Sequence, residues 1–195
     1  RNGARLGPWQ GQHARRALTP LDAARACARP RHVTGLERML ELQLDSEDAP
    51  VALAHSLADA LEGGDVVGLE GGLGAGKTTF TRGAVHGLGV DPATAITSPT
   101  FALLHQYQGR LPIGHADLYR LGDEIELEEL GLDELLDEGA VLFVEWGRKF
   151  PGMAERTALW VDLEIVSDDA RRARLTPNGA RADALNSALR ATDRG

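Results

Sequence analysis

Apolar residues recur at helical spacing in the segment that begins near residue 45. Leu53, Leu57 and Leu61 are four residues apart, so they share one face of a helix. Ser46 is a candidate N-cap, and the pair Gly63-Gly64 ends the pattern. The segment therefore predicts a helix whose leucine face packs on a core.

The pattern then changes from helical to extended and back again. Residues 65–70 form a short apolar run typical of a buried strand. The run at 71–76 is rich in glycine, and residues 77–88 return to a helical pattern. The predicted order is strand, glycine loop, helix.

The remainder of the chain adds further strands and helices. The predicted strands are 101–107, 111–116, 141–144, 159–165 and 171–175, the last two as a hairpin. The predicted helices are an acidic pair across 123–138, broken near Gly131, and a terminal helix at 180–191. This alternation predicts a three-layer α/β fold whose central sheet is mostly parallel and partly antiparallel.

Composition places the chain among ordinary globular proteins. Its 195 residues suit one domain with a sizeable core, and 43% of them are hydrophobic. Cys27 is the only cysteine, which excludes an internal disulfide. There is no signal-peptide pattern and no apolar run of the roughly 20 residues that span a bilayer. We expect a cytoplasmic protein without membrane contact.

Charge separates residues 1–38 from residues 39–195. The first segment carries eight arginines against Asp22 and Glu37, a net charge of +6, whereas the rest has a net charge of −14. The segment 1–38 is either a basic arm for an acidic partner or a disordered or non-native leader, and its composition favours the leader. The acidic domain at 39–195 is a poor ligand for nucleic acid, so we expect any contact with RNA to be indirect.

The glycine loop matches the full phosphate-binding pattern G-x-x-x-x-G-K-[ST]. Its residues are Gly71, Gly72, Leu73, Gly74, Ala75, Gly76, Lys77 and Thr78, followed by Thr79. Glycines let backbone amides approach a phosphate, and the following helix favours an anion at its amino-terminal end. Lys77 would reach the β- and γ-phosphates, and the Thr78 hydroxyl would ligate Mg²⁺. The motif predicts that the three-layer α/β domain has a P-loop NTPase fold and that it binds and hydrolyses ATP with Mg²⁺.

A phosphate loop needs an acidic group for the metal or the attacking water. Glu145 closes the apolar strand at 141–144, and functional groups of open α/β sheets gather at the carboxyl ends of strands. Asp117 is the second candidate. His115 is either catalytic or structural by this reasoning, Trp146 is either core packing or a nucleotide contact, and Ser98-Pro99-Thr100 is either functional or only a turn.

Four motifs in this order resemble the TsaE (YjeE) family of bacterial ATPases. They are 71–80, Thr97-Ser98-Pro99-Thr100-Phe101, His115-Ala116-Asp117-Leu118-Tyr119-Arg120-Leu121 and Val144-Glu145-Trp146. The resemblance covers residues 45 to 180 and excludes the basic leader. It departs from the family at Gly72, where an acidic or polar residue is common.

The resemblance implies a role in making N6-threonylcarbamoyladenosine in tRNA, together with the proteins TsaB and TsaD. In the family, ATP hydrolysis is thought to reset that complex between turnovers. By motif, Thr78 and Glu145 would hold Mg²⁺, and Asp117 would be a catalytic or metal-organising acid. Residues 97–100, Thr100 included, would sense the nucleotide, and Trp146 would pack beside it.

Two other functions are compatible with a phosphate loop. A small-molecule kinase of this size usually has an arginine-bearing lid, and here Arg110 and Arg120 are isolated along the chain. A guanine-nucleotide switch usually has an N-K-x-D motif, which is absent. Since no arginine is evident for the phosphates in cis, we expect slow hydrolysis by the isolated protein.

Overall fold

The computed structural model describes residues 39–192, and the predicted leader at 1–38 lies outside the described residues. The strands are β1 (Leu40–Leu44), β2 (Val66–Glu70), β3 (Leu104–Gln108), β4 (Pro112–Asp117), β5 (Val141–Glu145), β6 (Leu159–Ile165) and β7 (Arg171–Pro177). The α-helices are α1 (Ala49–Ala58), α2 (Lys77–Gly87), α3 (Glu124–Glu128), α4 (Leu132–Asp137), α5 (Pro151–Arg156) and α6 (Ala182–Thr192). Single 3₁₀ turns lie at Gly147–Lys149 and Gly179–Arg181.

All seven strands form one sheet in the order β1-β7-β6-β2-β5-β4-β3. The central neighbours β6-β2, β2-β5 and β5-β4 are parallel. The outer neighbours β1-β7, β7-β6 and β4-β3 are antiparallel. The predicted α/β class with parallel and antiparallel strands in one sheet is confirmed. The parallel strands form the centre as expected, but they account for three of the six neighbour pairs, so the sheet is evenly mixed and not mostly parallel.

Side chains alternate across the sheet and form a core on each face. Val67, Leu69 and Phe143 face one core, which α1, α2 and α6 cover. Val66 and Val144 face the other core, which α3, α4 and α5 cover. Because side chains of a strand point to opposite faces in turn, continuous apolar runs such as 141–144 need helices on both sides. The result is the predicted three-layer arrangement.

Most predicted elements are present with shifted ends. The helix expected from Ser46 begins at Ala49, with Asp48 at the N-cap position and Pro50 in the first turn. Proline suits that turn because its missing N–H has no helical partner there. The prediction of Ser46 as N-cap is therefore wrong. The strand expected from Phe101 begins at Leu104, after Leu103 takes a left-handed backbone conformation with φ of 65°.

Two elements had no counterpart in the prediction. β1 pairs with β7 at the sheet edge, where its burial alternates, and α5 is a helix of six residues that starts at a proline. Both are short, so their periodicity is weak. None of the helices within residues 39–192 is long and apolar enough to cross a membrane.

Candidate functional site

The glycine loop connects β2 to α2 through backbone conformations that favour glycine. Gly74 has a φ of 78°, and Gly76, at the N-cap of α2, has a φ of 103°. A side chain at Gly71 would come within 2.3 Å of the Leu163 carbonyl oxygen. The loop can therefore turn tightly against the sheet and deliver the amino-terminal end of α2 to the sheet edge.

A cavity of about 550 Å³ opens where β2, β4 and β5 end. Its walls come from the glycine loop with α2, from the segment after residue 97 and from the turns that follow β4 and β5. The lining residues are Leu73, Gly74, Gly76, Lys77, Thr78, Thr79, Ser98, Thr100, Asp117, Tyr119, Arg120, Glu145 and Trp146. Parallel strands place their carboxyl ends together, which is why distant motifs meet here.

Lys77 is only 6% exposed and is held by the loop itself. Its Nζ donates hydrogen bonds to the carbonyl oxygens of Gly71, at 2.8 Å, and Gly72, at 3.2 Å. The same atom lies 4.3 Å from the Trp146 ring centroid and 4.0 Å from Glu145 Oε2. The buried ammonium group of Lys77 therefore lies at the cavity wall, where it contacts two neutral carbonyl oxygens, an aromatic face and a carboxylate.

Glu145 is the centre of a buried polar cluster. The Thr78 hydroxyl donates to its Oε1 at 2.9 Å, and His115 Nε2 lies 3.0 Å from the same oxygen. A carboxylate only accepts, so Nε2 is the donor of that bond. His115 is fully buried, and its Nδ1 has no hydrogen-bond partner among the described residues. The imidazole therefore fixes the carboxylate from behind while Thr78 contacts it on the cavity side.

Asp117 connects β4 to the segment at 97–100. Its Oδ2 accepts hydrogen bonds from the hydroxyls of Ser98, at 3.0 Å, and Thr100, at 3.1 Å. Its Oδ1 accepts the backbone N–H of Tyr119 at 3.0 Å. The carboxylate is 5% exposed, so it ties two cavity walls together through a largely buried network.

Trp146 stands on a strained turn directly after β5. Its φ of 63° is unusual for a residue other than glycine, and its N–H donates to the Leu69 carbonyl at 3.1 Å. The indole lies against Tyr119, with ring centroids 5.3 Å apart. Strain of this kind persists where the surroundings hold it, often at functional sites. The Trp146 ring therefore contacts both Tyr119 and Lys77, and the three side chains form one wall of the cavity.

Glu70 ends β2 beside the glycine loop, outside the cavity lining. Burial raises the pKa of its carboxyl above the usual value, against the lowering effect of the bond from the Arg148 backbone N–H. That bond is 2.9 Å long, and the Arg148 side chain pairs with Asp162 at 2.8 Å. Arg148 therefore fastens the turn after β5 to both β2 and β6.

The structure brings most of the predicted site residues into one cavity. Gly71, Gly72 and Ala75 are loop residues that do not line it, although the first two hold Lys77 through their carbonyls. Glu145 and Asp117, adjacent partners in the β4-β5 register, both line it.

Two lining residues, Tyr119 and Arg120, had no assigned role in the sequence, and Ser98 was expected only as part of the segment 97–100. Each lies within a family-like motif, so the motif itself was the available signal. Arg120, isolated along the chain, lies at the cavity, whereas Arg110 donates to the Ala58 and Leu61 carbonyls elsewhere.

The donor chemistry of the site fits Mg²⁺. Thr78 and Glu145 offer a hydroxyl and a carboxylate oxygen 2.9 Å apart. Mg²⁺ prefers oxygen ligands and commonly takes only one or two from the protein, with phosphate and water for the rest. Residues 39–192 contain no cluster of three His, Cys, Asp or Glu side chains that would form an all-protein metal site.

A mixed sheet covered on both faces, with a glycine loop between β2 and α2, defines this molecule as an α/β protein of the P-loop type. The model of the threonylcarbamoyl adenosine biosynthesis protein TsaE family matches residues 44–174. That match covers well over half of the chain, so the protein belongs to the TsaE family.

Individual relatives agree with this assignment. The tRNA threonylcarbamoyladenosine biosynthesis protein TsaE of Bacillus subtilis is 40% identical over 135 residues, which are 69% of this chain and 83% of that protein. The protein of the same name from Streptomyces coelicolor is 42% identical over 137 residues, 66% of this chain and 90% of that protein. The crystal structure of Bacillus subtilis YdiB superposes with a TM-score of 0.62 at 33% identity, covering 80% and 96% of the two chains.

Proposed function

We propose that this protein binds ATP with Mg²⁺ in the cavity and hydrolyses it to support threonylcarbamoyladenosine modification of tRNA. The observation that carries the proposal is the meeting of Lys77, Thr78 and Glu145 at one cavity wall, with Thr78 bonded to Glu145 at 2.9 Å. Lys77 and Thr78 begin α2, and Glu145 ends β5. The bonded pair Thr78 and Glu145 is 67 positions apart in the chain. Membership of the TsaE family supports the role in tRNA modification, and the residues of the cavity support binding and hydrolysis of ATP.

Binding rests on Lys77 and the glycine loop. When a triphosphate enters, Lys77 exchanges the carbonyls of Gly71 and Gly72 for β- and γ-phosphate oxygens. The amino-terminal amides of α2 favour the same anion. Since Lys77 already lies at the cavity wall, little reorganisation is needed, and the Trp146 ring covers one side of its ammonium group.

Hydrolysis rests on Glu145 and Asp117. The bound Mg²⁺ would supply positive charge that draws electron density from the phosphate oxygens. Thr78 and Glu145 would hold the ion and its waters, with His115 fixing the orientation of the carboxylate. Asp117 would organise the Ser98–Thr100 segment, so that this segment responds to the terminal phosphate as a switch does.

Partner proteins complete the proposal. We assign TsaB and TsaD as the partners. We propose that the protein contacts tRNA only through them and that it acts in the cytoplasm. The acidic domain supports this, since its net charge of −14 opposes binding to a phosphate backbone. Leu73 and Tyr119 are exposed apolar side chains at the cavity, which a partner could cover.

A phosphate-release assay tests the function. The protein is incubated with ATP or GTP and Mg²⁺, alone, with TsaB and TsaD, or with candidate acceptor metabolites. We expect slow release from ATP alone and at least about tenfold stimulation by the partners. Equal turnover with and without them would contradict the partner role. Phosphate transfer to a metabolite would instead indicate a kinase.

A further inference from the structure

Nearly every arginine in the described chain has a polar partner, and Arg120 is an exception that lies at the cavity. Seven arginines make hydrogen bonds or ion pairs: Arg110, Arg148, Arg156, Arg171, Arg172, Arg174 and Arg181. Arg190 also interacts with a neighbour. Of the other arginines within residues 39–192, Arg82 and Arg120 have neither a hydrogen bond nor an ion pair through the guanidinium group. Arg82 is exposed on α2 and does not line the cavity.

The backbone on both sides of Arg120 is held in place. Lys149 Nζ donates to the Tyr119 carbonyl at 2.9 Å and to the Leu121 carbonyl at 2.6 Å. Asp117 accepts the N–H of Tyr119, and the N–H of Leu121 donates to the Leu118 carbonyl at 3.1 Å. Only the side chain of Arg120 is therefore free to change position.

That side chain rests on an aromatic ring. The Arg120 guanidinium carbon lies 4.5 Å from the centroid of Phe101, whose side chain is 84% exposed. A cation–aromatic contact in water is weak compared with a bidentate bond between a guanidinium and a phosphate. Phe101 lies directly after Thr100, one of the two hydroxyl residues bonded to Asp117. A cation at an anion-binding cavity is thus held by a contact that a phosphate would displace.

We propose that Arg120 is a catalytic arginine supplied in cis: it leaves Phe101 and binds the terminal phosphate as the bond to it breaks. The inference rests on the proposed function. In the step, a water oxygen bonds to the γ-phosphorus while the bond from that phosphorus to the β–γ bridging oxygen breaks, which gives ADP and inorganic phosphate. The proton of the water passes to phosphate or solvent. Arg120 exchanges no proton and stabilises negative charge on the phosphoryl oxygens.

The first test measures turnover in full-length variants. Under saturating ATP and Mg²⁺, Arg120→Ala should lower kcat at least about tenfold and leave the affinity for ADP within about threefold. Arg120→Lys should restore little, because an ammonium group lacks the planar fork. Arg82→Ala is the matched control and should hydrolyse ATP at the normal rate. An unchanged kcat in Arg120→Ala overturns the inference and leaves the proposed function intact.

The second test does not need turnover. ADP with aluminium fluoride mimics the phosphoryl group in transfer, and its affinity is compared with that of ADP alone. Arg120→Ala should weaken binding of the mimic at least about tenfold relative to ADP, whereas Arg82→Ala should not. Phe101→Leu separates a structural role: it should reduce the affinity for the mimic less than Arg120→Ala does. Equal losses in the two variants would mean that Arg120 acts only through the ring contact, and the inference would fall.

Discussion

Glu145 and Asp65 are both buried carboxylates at ends of central strands, and their surroundings differ. Asp65 precedes β2 and receives Arg181 Nε at 3.0 Å, Arg181 Nη2 at 3.1 Å and the Glu62 N–H at 3.0 Å. Glu145 ends β5 and is bonded by Thr78 and His115, with Lys77 at 4.0 Å. The first carboxylate is paired with an arginine, whereas two neighbours of the second, Thr78 and Lys77, also line the cavity.

The difference separates a carboxylate that holds the fold from one that serves a site. The pair of Asp65 and Arg181 ties the start of β2 to the turn before α6, and Arg181 also bonds to the Ala60 carbonyl at 2.6 Å. Asp65 also raises the pKa of Arg181 by hydrogen bonding. At the opposite edge of the sheet, Lys77 and Thr78 make hydrogen bonds to groups that a phosphate or a metal ion can replace. Stability and chemistry should therefore respond oppositely to substitution at the two ends.

The largest expected effect is at Lys77. Lys77→Ala should weaken ATP binding at least about 100-fold, because the phosphates lose their buried counter-charge. Calorimetric titration with ATP and Mg²⁺ measures it, with Arg82→Ala as the control that keeps binding. If Lys77→Ala still bound ATP tightly, the assignment of the phosphate-binding site to this cavity would be wrong.

The next effect is on turnover at Glu145. Glu145→Ala should lower the rate of phosphate release about 100-fold and spare ATP binding, since the loop and Lys77 remain. Binding and single-turnover release are measured on the same samples. If binding and release disappear together, the role given to Glu145 is wrong.

Substitution of Asp65 should have the opposite pattern, a loss of stability with ATP binding retained. Asp65→Ala should lower the free energy of unfolding by about 3 kcal/mol, the low end for breaking a buried ion pair, because Arg181 is partly exposed. ATP affinity should stay within about twofold, since this end of β2 is remote from the cavity. Denaturant unfolding measures the change, with exposed Asp59→Ala as the control. If Asp65→Ala were stable but did not hydrolyse ATP, the distinction between a stabilising Asp65 and a functional Glu145 would be wrong.

His115 sharpens the comparison, because it supports Glu145 without lining the cavity. His115→Leu should lower kcat about tenfold with little change in KM, as expected when a neighbour no longer orients the carboxylate. His115→Gln should recover most of the rate, since its amide can donate to Glu145 from a similar position. Equal rates in the two variants would leave His115 a purely structural residue.

The smallest effect concerns Glu70 and pH. Burial raises its pKa in the folded state, so folding favours the protonated carboxyl. Stability should therefore fall as pH rises from the usual carboxyl pKa through the raised one. Glu70→Gln should remove this part of the pH dependence. Unfolding midpoints measured between pH 4 and 7 would contradict the expectation if both proteins followed the same curve.

The sequence alone determined the local and periodic features. The glycine loop with Lys77 and Thr78 was predictable because a phosphate loop needs these residue types at fixed spacing. The continuous apolar run at 141–144 predicted a strand covered on both faces, and the break at Gly131 predicted the two acidic helices. The position of Glu145 after its strand also followed from the chain, although its partners did not.

Tertiary structure alone decided which distant groups meet. The bonds from Thr78 and His115 to Glu145, and from Ser98 and Thr100 to Asp117, follow from strand order and register. Periodicity reports which face of an element is apolar, and it carries no information about which element lies beside it. Arg120 shows this most clearly: isolated in the sequence, it reaches the cavity because β4 lies next to β5 in the sheet.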